Sequence, residues 1–321
     1  MNPSRSAPHL HAFDSTRSLM LDVCLALLPA LIWGVYVFGF RALVLTLVSV
    51  FTAVLSEALF QFAFRRKKTF LDLSAVVTGL LLALSLPVSA PLWVPALGAA
   101  FAVIVLKGAF GGIGKNFLNP ALGARLFLDL VFRSTLSRAT APFAALPLFG
   151  STAGAAEAET VQSVLKSGAF PENVSLFDLL SGSVPGRIGE VSVLLLLAGG
   201  LYLLVKRVVS WQIPLAFTAS FFAFSVLFPA FGNRWEFALW QLLSGGVIFV
   251  IFYQATDVVT TPVTGTGRLL FGIGCGALTF LFGRTGLYAE KAVLAVLLMN
   301  LLAPLLDYLR MLPRLIRARY R

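Results

Sequence analysis

A polar island interrupts this chain at residues 154–168, "GAAEAETVQSVLKSG", where Glu157, Glu159, Thr160, Gln162, Ser163 and Lys166 crowd together. Thr160 offers a hydroxyl there. Two further stretches gather hydrogen-bonding groups, "FGGIGKNFLNPALGARLF" (110–127) and "ATDVVTTPVTGTGRLLFG" (255–272). They contribute Lys115, Asn116 and Asn119 from the first, and Thr256, Asp257, Thr260 and Thr261 from the second. Neither is a phosphate-binding loop, because Lys115 follows Gly114 but precedes Asn116, and Gly112-Ile113-Gly114 lacks the third glycine of a dinucleotide fingerprint. What they supply is irregular polar backbone, tolerated at membrane depth where it is buried in protein or lines a cavity. A pair of tight inter-helix turns is the plainer reading of the same residues.

Ionisable residues within or beside apolar runs are few: Asp22, Glu57, Asp129, Asp257 and Asp307. Glu57 lies about two turns from the run Arg65–Arg66–Lys67–Lys68, too deep to reach water easily. A carboxylate at that depth is costly unless protonated, paired or hydrated, which makes an ion pathway the working reading of Glu57. Asp22 and Asp307 lie close enough to helix ends for interfacial hydration to explain them. No HExxH, no G-x-S-x-G and no Ser/His/Asp set occurs, and His9 and His11 both sit in the N-terminal tail, so hydrolysis is not expected. Cys24 and Cys275, far apart and in apolar segments, read as buried structural residues, and no metal site is expected.

These groups are carried by a membrane chain. Of 321 residues, 58% are hydrophobic and 12% charged, about half the charge of an ordinary soluble domain. Apolar runs of about 20 residues recur, each long enough to cross a bilayer core as a helix. Helices are predicted at 20–39, 42–64, 71–89, 91–109, 118–133, 191–205, 211–231, 236–255, 267–284 and 289–309: an all-α polytopic protein of about ten transmembrane helices. Its parts are an N-terminal membrane half (1–132), one long extracytoplasmic loop (133–190) and a C-terminal membrane half (191–321). The tail "MNPSRSAPHLHAFDSTRS" lacks the apolar stretch and cleavage site of a signal peptide, so the first run is expected to stay as a membrane helix.

Alternate segments carry sixteen basic residues against eight, with Arg125 unassigned, which predicts both termini in the cytoplasm and the polar island outside. The net charge of +11 is spread in short clusters between apolar runs, with no basic face interleaved with aromatics, so no nucleic-acid partner is expected.

Long stretches resemble the NqrB/RnfD family of membrane subunits: "SAPHLHAFDSTRSLMLDVCLALLPALIWGVYVFG", "GGIGKNFLNPALGARLF", "GRIGEVSVLLLLAGGLYLLVKRVVSWQIP", "ATDVVTTPVTGTGRLLFG" and "AEKAVLAVLLMNLLAPLLDYL". The short N-terminal tail is similar to that of the Rnf D-type subunits. The resemblance implies a channel-like fold in the cell (inner) membrane of a bacterium or archaeon. It implies a hetero-oligomeric complex with other Rnf subunits, a second flavin-carrying subunit among them, moving electrons between ferredoxin and NAD coupled to Na+ or H+ transport.

It also implies FMN bound covalently through its phosphate to a threonine of the outer loop, and a non-covalent riboflavin among the helices. The attachment position falls on Thr160, followed by "VQSVLKSG" at the family's spacing. The residues before it depart from the family's Ser-Gly-Ala: Glu157, Ala158 and Glu159 stand there, and Gly154 replaces an acidic residue. Thr152 is the second candidate. Lys115, Asn116, Asn119, Thr256, Asp257, Thr260 and Thr261 are the candidates for the non-covalent flavin. A channel or transporter of similar fold without a redox cofactor is the alternative, and only the flavin-bearing protein would be yellow and fluorescent.

Overall fold

The computed structural model describes residues 15–66, 71–112, 114–137, 139–150, 152, 158–172, 174–190, 192–244, 246–285 and 290–319, with side chains up to Tyr308. The tail histidines, Lys67, Lys68, Gly154 and Glu157 lie outside the described residues. The first membrane half contains α1 (Thr16–Phe38), α2 (Phe40–Ala63), α3 (Ser74–Leu84), α4 (Trp93–Gly108) and α5 (Pro120–Val131). The loop folds into three short helices, α6 (Arg133–Leu136), α7 (Val161–Ser167) and α8 (Leu176–Ser181). The second half contains α9 (Val193–Val205), α10 (Gln212–Leu227), α11 (Arg234–Leu243), α12 (Val247–Gln254), α13 (Gly265–Thr285) and α14 (Lys291–Arg319). Among the described residues the only extended pairing is an isolated bridge between Thr140 and Gly186, which ties the two ends of the loop.

Each of the ten predicted runs coincides with a helix or a bent helix pair. Their lengths differ from the expectation. Among the described residues four helices have the length and composition of a full crossing, Thr16–Phe38, Phe40–Ala63, Gly265–Thr285 and Lys291–Tyr308, and α11 with α12, bent by 62°, makes a fifth if the pair is one span. The segment read as 71–89 is helical for only 11 residues, and α5 for 12. At 1.5 Å per residue these helices span well under the roughly 30 Å of a hydrocarbon core. The Ser85–Ala90 turn that ends the α3 segment is buried in protein, where irregular backbone finds partners.

Two breaks interrupt the helices. α4 loosens into a π-helical turn over Ala102–Gly108, and α12 does so over Val250–Gln254. The polar stretches predicted from the sequence follow directly. Asn119 closes the first break: its Oδ1 accepts from the N–H groups of Ala121 (3.0 Å) and Leu122 (3.4 Å), and Pro120 begins α5, where a missing N–H costs nothing. Its Nδ2 donates to the carbonyl of Gln254 at 3.0 Å, stitching the first break to the second.

Small residues bring the long helices together. A Cβ at Gly276 of α13 would sit 2.7 Å from the Phe217 carbonyl of α10, and one at Gly199 of α9 would sit 2.2 Å from the Ala26 carbonyl of α1. Close backbone approach of this kind replaces the hydrophobic driving force that lipid does not supply.

Several basic residues counted as flanking charges are buried. Arg41 is 2% exposed and donates to the carbonyls of Val88, Ala90 and Pro147, clamping the loop between α5 and α9 to the turn after α3. Lys107 and Lys291 are likewise buried. Setting these three aside leaves fifteen basic residues against six, so the bias persists.

Candidate functional site

Thr160 is the N-cap of α7. Its Oγ1 accepts from the Ser163 N–H at 3.1 Å, and the Ser163 hydroxyl donates back to the Thr160 carbonyl at 2.7 Å. The short helix is fixed by burial of Val161 and Leu165 against Leu179, Val184 and Trp240, and Gly168 ends it at φ +91°. Thr160 is half-buried, and it lines a cleft of about 260 Å³ with Arg125, Asp129, Arg133, Lys166, Arg187 and Glu290. Thr152 lies elsewhere: its hydroxyl donates to the Ser89 carbonyl at 2.8 Å and takes no part in the cleft.

The floor of the cleft is a charge network. Arg125 on α5, 1% exposed, pairs with Asp129 one turn along and lies 3.7 Å from Glu290 at the start of α14. Both terminal nitrogens of Arg187 reach the carboxylate of Glu290, and one is 3.1 Å from Glu190. Glu290 therefore sits between two arginines from different parts of the chain. At the rim, Lys166 has its pKa lowered by burial, then by repulsion from Arg133 and Arg187. Cations crowded at a mouth favour an anion there, a phosphate above all.

The two polar stretches meet at the opposite end of the helices. A cavity of about 270 Å³ is lined by Asn116, Asn119, Thr256 and Asp257 together with Lys107, Ser74, Thr78 and Thr16, and otherwise by mainly apolar groups of α1, α3, α5, α9 and α12 and the segments that follow α9 and α12. Lys115, Thr260 and Thr261 do not line it. Lys115 is exposed beside Gly111, the Thr260 hydroxyl donates to Asp257 Oδ2 at 3.1 Å, and the Thr261 hydroxyl donates to the Asp257 carbonyl at 2.9 Å. The two threonines brace the turn. Asn116 Oδ1 is buried without a protein partner, which marks it as an acceptor aimed at something else.

The remaining ionisable residues have partners. Of the states that make a carboxylate tolerable at that depth, Glu57 is in the paired one: Lys107 Nζ lies 2.7 Å from its Oε1, and the same ammonium donates to the Ser74 hydroxyl. The charge is neutralised inside the protein, so expense alone does not make Glu57 an ion pathway. Asp22 accepts from the Tyr202 hydroxyl at 2.6 Å. Asp307 accepts from the Val263 and Thr264 N–H groups at 2.8 and 3.0 Å, holding the turn before α13.

Sequence reading passed over Glu190 and Glu290 altogether. The i,i+4 spacing of Arg125 and Asp129 and the i,i+3 spacing of Arg187 and Glu190 are local signals that were available. The link from either arginine to Glu290 crosses at least a hundred residues and leaves no local trace.

The fold and these two cavities define a polytopic helical membrane protein with polar sites at broken helices and under the folded loop between α5 and α9. The chain belongs to the NQR2, RnfD, RnfE family, whose sequence model matches residues 4–315. It is 40% identical over 305 residues to the D subunit of the Na(+)-translocating ferredoxin:NAD(+) oxidoreductase complex of Acetobacterium woodii, covering 94% of this chain and 91% of that one. It is 36% identical to the D subunit of the ion-translocating oxidoreductase complex of Stutzerimonas stutzeri (92% and 90% covered). It is 34% identical to the D subunit of the proton-translocating ferredoxin:NAD(+) oxidoreductase complex of Clostridium ljungdahlii (94% and 92% covered).

Proposed function

We propose that this chain is the flavin-carrying D subunit of an ion-translocating electron-transport complex of the Rnf type. The complex passes electrons between ferredoxin and NAD and couples them to Na+ or H+ transport across a bacterial or archaeal cell membrane. Similarity to relatives named for both coupling ions, over more than nine-tenths of the chain, supports the complex and leaves the ion open. The termini are assigned to the cytoplasm on the basic-residue bias.

The observation that carries the flavin assignment is the Thr160 hydroxyl at the mouth of a cation-rimmed cleft. FMN joined there through its phosphate would supply reversible electron transfer at the outer face. Thr160 would hold the phosphoester, Lys166 and Arg133 would balance its charge, and the cleft would keep the ring near its redox partner instead of letting it dilute away. At the inner end, the apolar cavity with Asn116, Asn119, Thr256 and Asp257 fits a planar polar ring without a tether, riboflavin by preference. Asn116 Oδ1 is the acceptor free to read a ring N–H.

The test is direct. Denatured protein on a gel should fluoresce, with a mass above that of the sequence by FMN less one water. Thr160→Val should abolish both signals while the protein still folds, since a cap on so short a helix contributes about 1 kcal/mol. An adduct that persists in Thr160→Val refutes the assignment of the hydroxyl. An unmodified wild type, purified from its native membrane, refutes the tether.

A further inference from the structure

A third cavity, of about 450 Å³, opens at the Thr285 end of α13. Lys166, Arg284 and Lys291 line it with the rings of Phe221, Phe237 and Phe280, and among the described residues no carboxylate does. Lys291 is the deepest of the cations, 3% exposed. Its ammonium donates to Gln241 Oε1 and lies 5.2 Å from the centroid of Phe221. Its neighbour Glu290 is engaged by Arg125 and Arg187, and among the described residues no carboxylate pairs with Lys291. An amide oxygen and a ring face stabilise an ammonium but do not neutralise it. A buried, uncompensated unit charge costs several kcal/mol, and with the more exposed Arg284 and Lys166 lining the same cavity the site is built for an anion.

A second hollow, of about 440 Å³, shares Phe280 and Arg284 with the first and is otherwise apolar, lined by Phe224, Phe228, Ala277 and Leu281. Phe228 and Leu281 are exposed on the outside of α10 and α13, where a membrane protein meets acyl chains. Phe224 and Phe228 pack on Phe280 with centroids 5.9 and 6.3 Å away, making a continuous aromatic floor. Arg284 is in the last turn of α13 and Lys291 is the first residue of α14, so the cations sit where helices leave the hydrocarbon core. That is the level of lipid phosphates.

We propose that the corner formed by α10, α13 and α14 binds one anionic phospholipid. Its phosphate would lie against Lys291 and Arg284, and an acyl chain would run over Phe280 onto Phe224 and Phe228. An inorganic anion would satisfy the cations and leave the apolar hollow unused. A zwitterionic lipid would bring its own cation to three already there. The site is separate from the flavin cleft, with which it shares only Lys166. The inference does not depend on the redox reading.

Native mass spectrometry of the intact membrane assembly, stripped of lipid and titrated with phosphatidylglycerol or phosphatidylcholine, tests it. One phosphatidylglycerol should be retained with about tenfold preference, and Arg284→Gln or Lys291→Met should each remove that preference, a change of one decade in affinity. Lys291→Met should also melt no lower than wild type when delipidated, since it deletes an uncompensated buried charge. Arg284→Gln changes an exposed side chain and keeps the test open should the lysine variant fail to fold. Equal retention of the two lipids overturns the proposal, and so does unchanged retention in Arg284→Gln. Displacement of the lipid by millimolar inorganic phosphate would make the site one for a free anion. Loss of flavin fluorescence in Arg284→Gln, with lipid retained, would assign the cavity to the tethered group instead.

Discussion

Around Thr160, ionised side chains are held chiefly by one another: Arg125 by Asp129, Arg187 by Glu190, and both arginines by Glu290. Between the two helix breaks, neutral amides and hydroxyls do the same work, with Asn119 bridging to the Gln254 carbonyl and Thr260 and Thr261 tying to Asp257. The first arrangement suits a rim open to water, where charge can attract and orient an anion. The second suits membrane depth, where each ionised group would need a partner of its own. Two ionisable groups line that cavity, Lys107, which is paired with Glu57, and Asp257, which accepts from the Thr260 hydroxyl. The two ends of the helices thus solve the same problem, keeping polar groups in an apolar molecule, with different kinds of interaction.

The largest effect should come from breaking the outer network at its shared member. Glu290→Gln leaves Arg125 and Arg187 competing for the remaining carboxylates, and removal of one partner from a buried ion pair costs about 3–5 kcal/mol. Thermal unfolding of the detergent-solubilised protein should show it, with the loop between α5 and α9 becoming susceptible to protease. A melting temperature equal to wild type would mean the network is solvated and adds little.

At the inner end the same logic applies to one pair instead of five groups. Glu57→Gln or Lys107→Met alone strands a charge and should cost several kcal/mol, whereas the double variant should recover most of it. If the double variant is no better than the sum of the singles, the pair does not act as a unit. If it is stable and its assembly still moves ions, Glu57 is structural. The ion-pathway reading of Glu57 is decided by that measurement.

The two ends also differ in how much of them the sequence discloses. Apolar runs of about 20 residues announce helices regardless of context, so all ten were legible. That α3 stops at Leu84 was not, because "SLPVSA" is as apolar whether it continues a helix or turns inside the protein. The inner cavity was partly legible, since Asn, Thr and Gly between apolar runs mark irregular backbone, and four of the seven residues named there line it. Which of them brace and which face the cavity depends on φ and ψ in the turn, and composition does not carry that. The outer cleft was legible only at Thr160, through resemblance. Its charges come from α5, the loop and α14, and pairing across such distances has no local signature.

Asn116 sharpens the contrast further. Its Oδ1 is buried without a partner, so Asn116→Leu removes a desolvated acceptor that costs about 1–3 kcal/mol to leave unpaired. The variant should therefore be as stable as wild type or more so, while non-covalent flavin released on denaturation falls. A stable variant with unchanged flavin content would leave the first polar stretch as a structural turn. No comparable gain in stability is expected from any member of the outer network, because each of those has a partner to strand.

The smallest effect is expected at Lys166, and its sign separates two roles. Burial and the neighbouring Arg133 and Arg187 hold its pKa below the ordinary lysine value. A lysine depressed in the folded state opposes folding while it is charged. The penalty is fully present below the lowered pKa and is lost as pH rises from there to the unfolded lysine value of about 10.4. Lys166→Gln should therefore raise the melting temperature slightly at neutral pH, with the gain disappearing at alkaline pH. The side chain sits at an open rim, so the shift is small. If the cation also balances a phosphate on Thr160, the same variant should leave the adduct attached but let its fluorescence respond more strongly to added iodide, as the ring loosens from the cleft. A Gln variant that melts lower than wild type at neutral pH would mean Lys166 is already paired in the folded loop. Unchanged quenching would mean that it does not hold the tethered group.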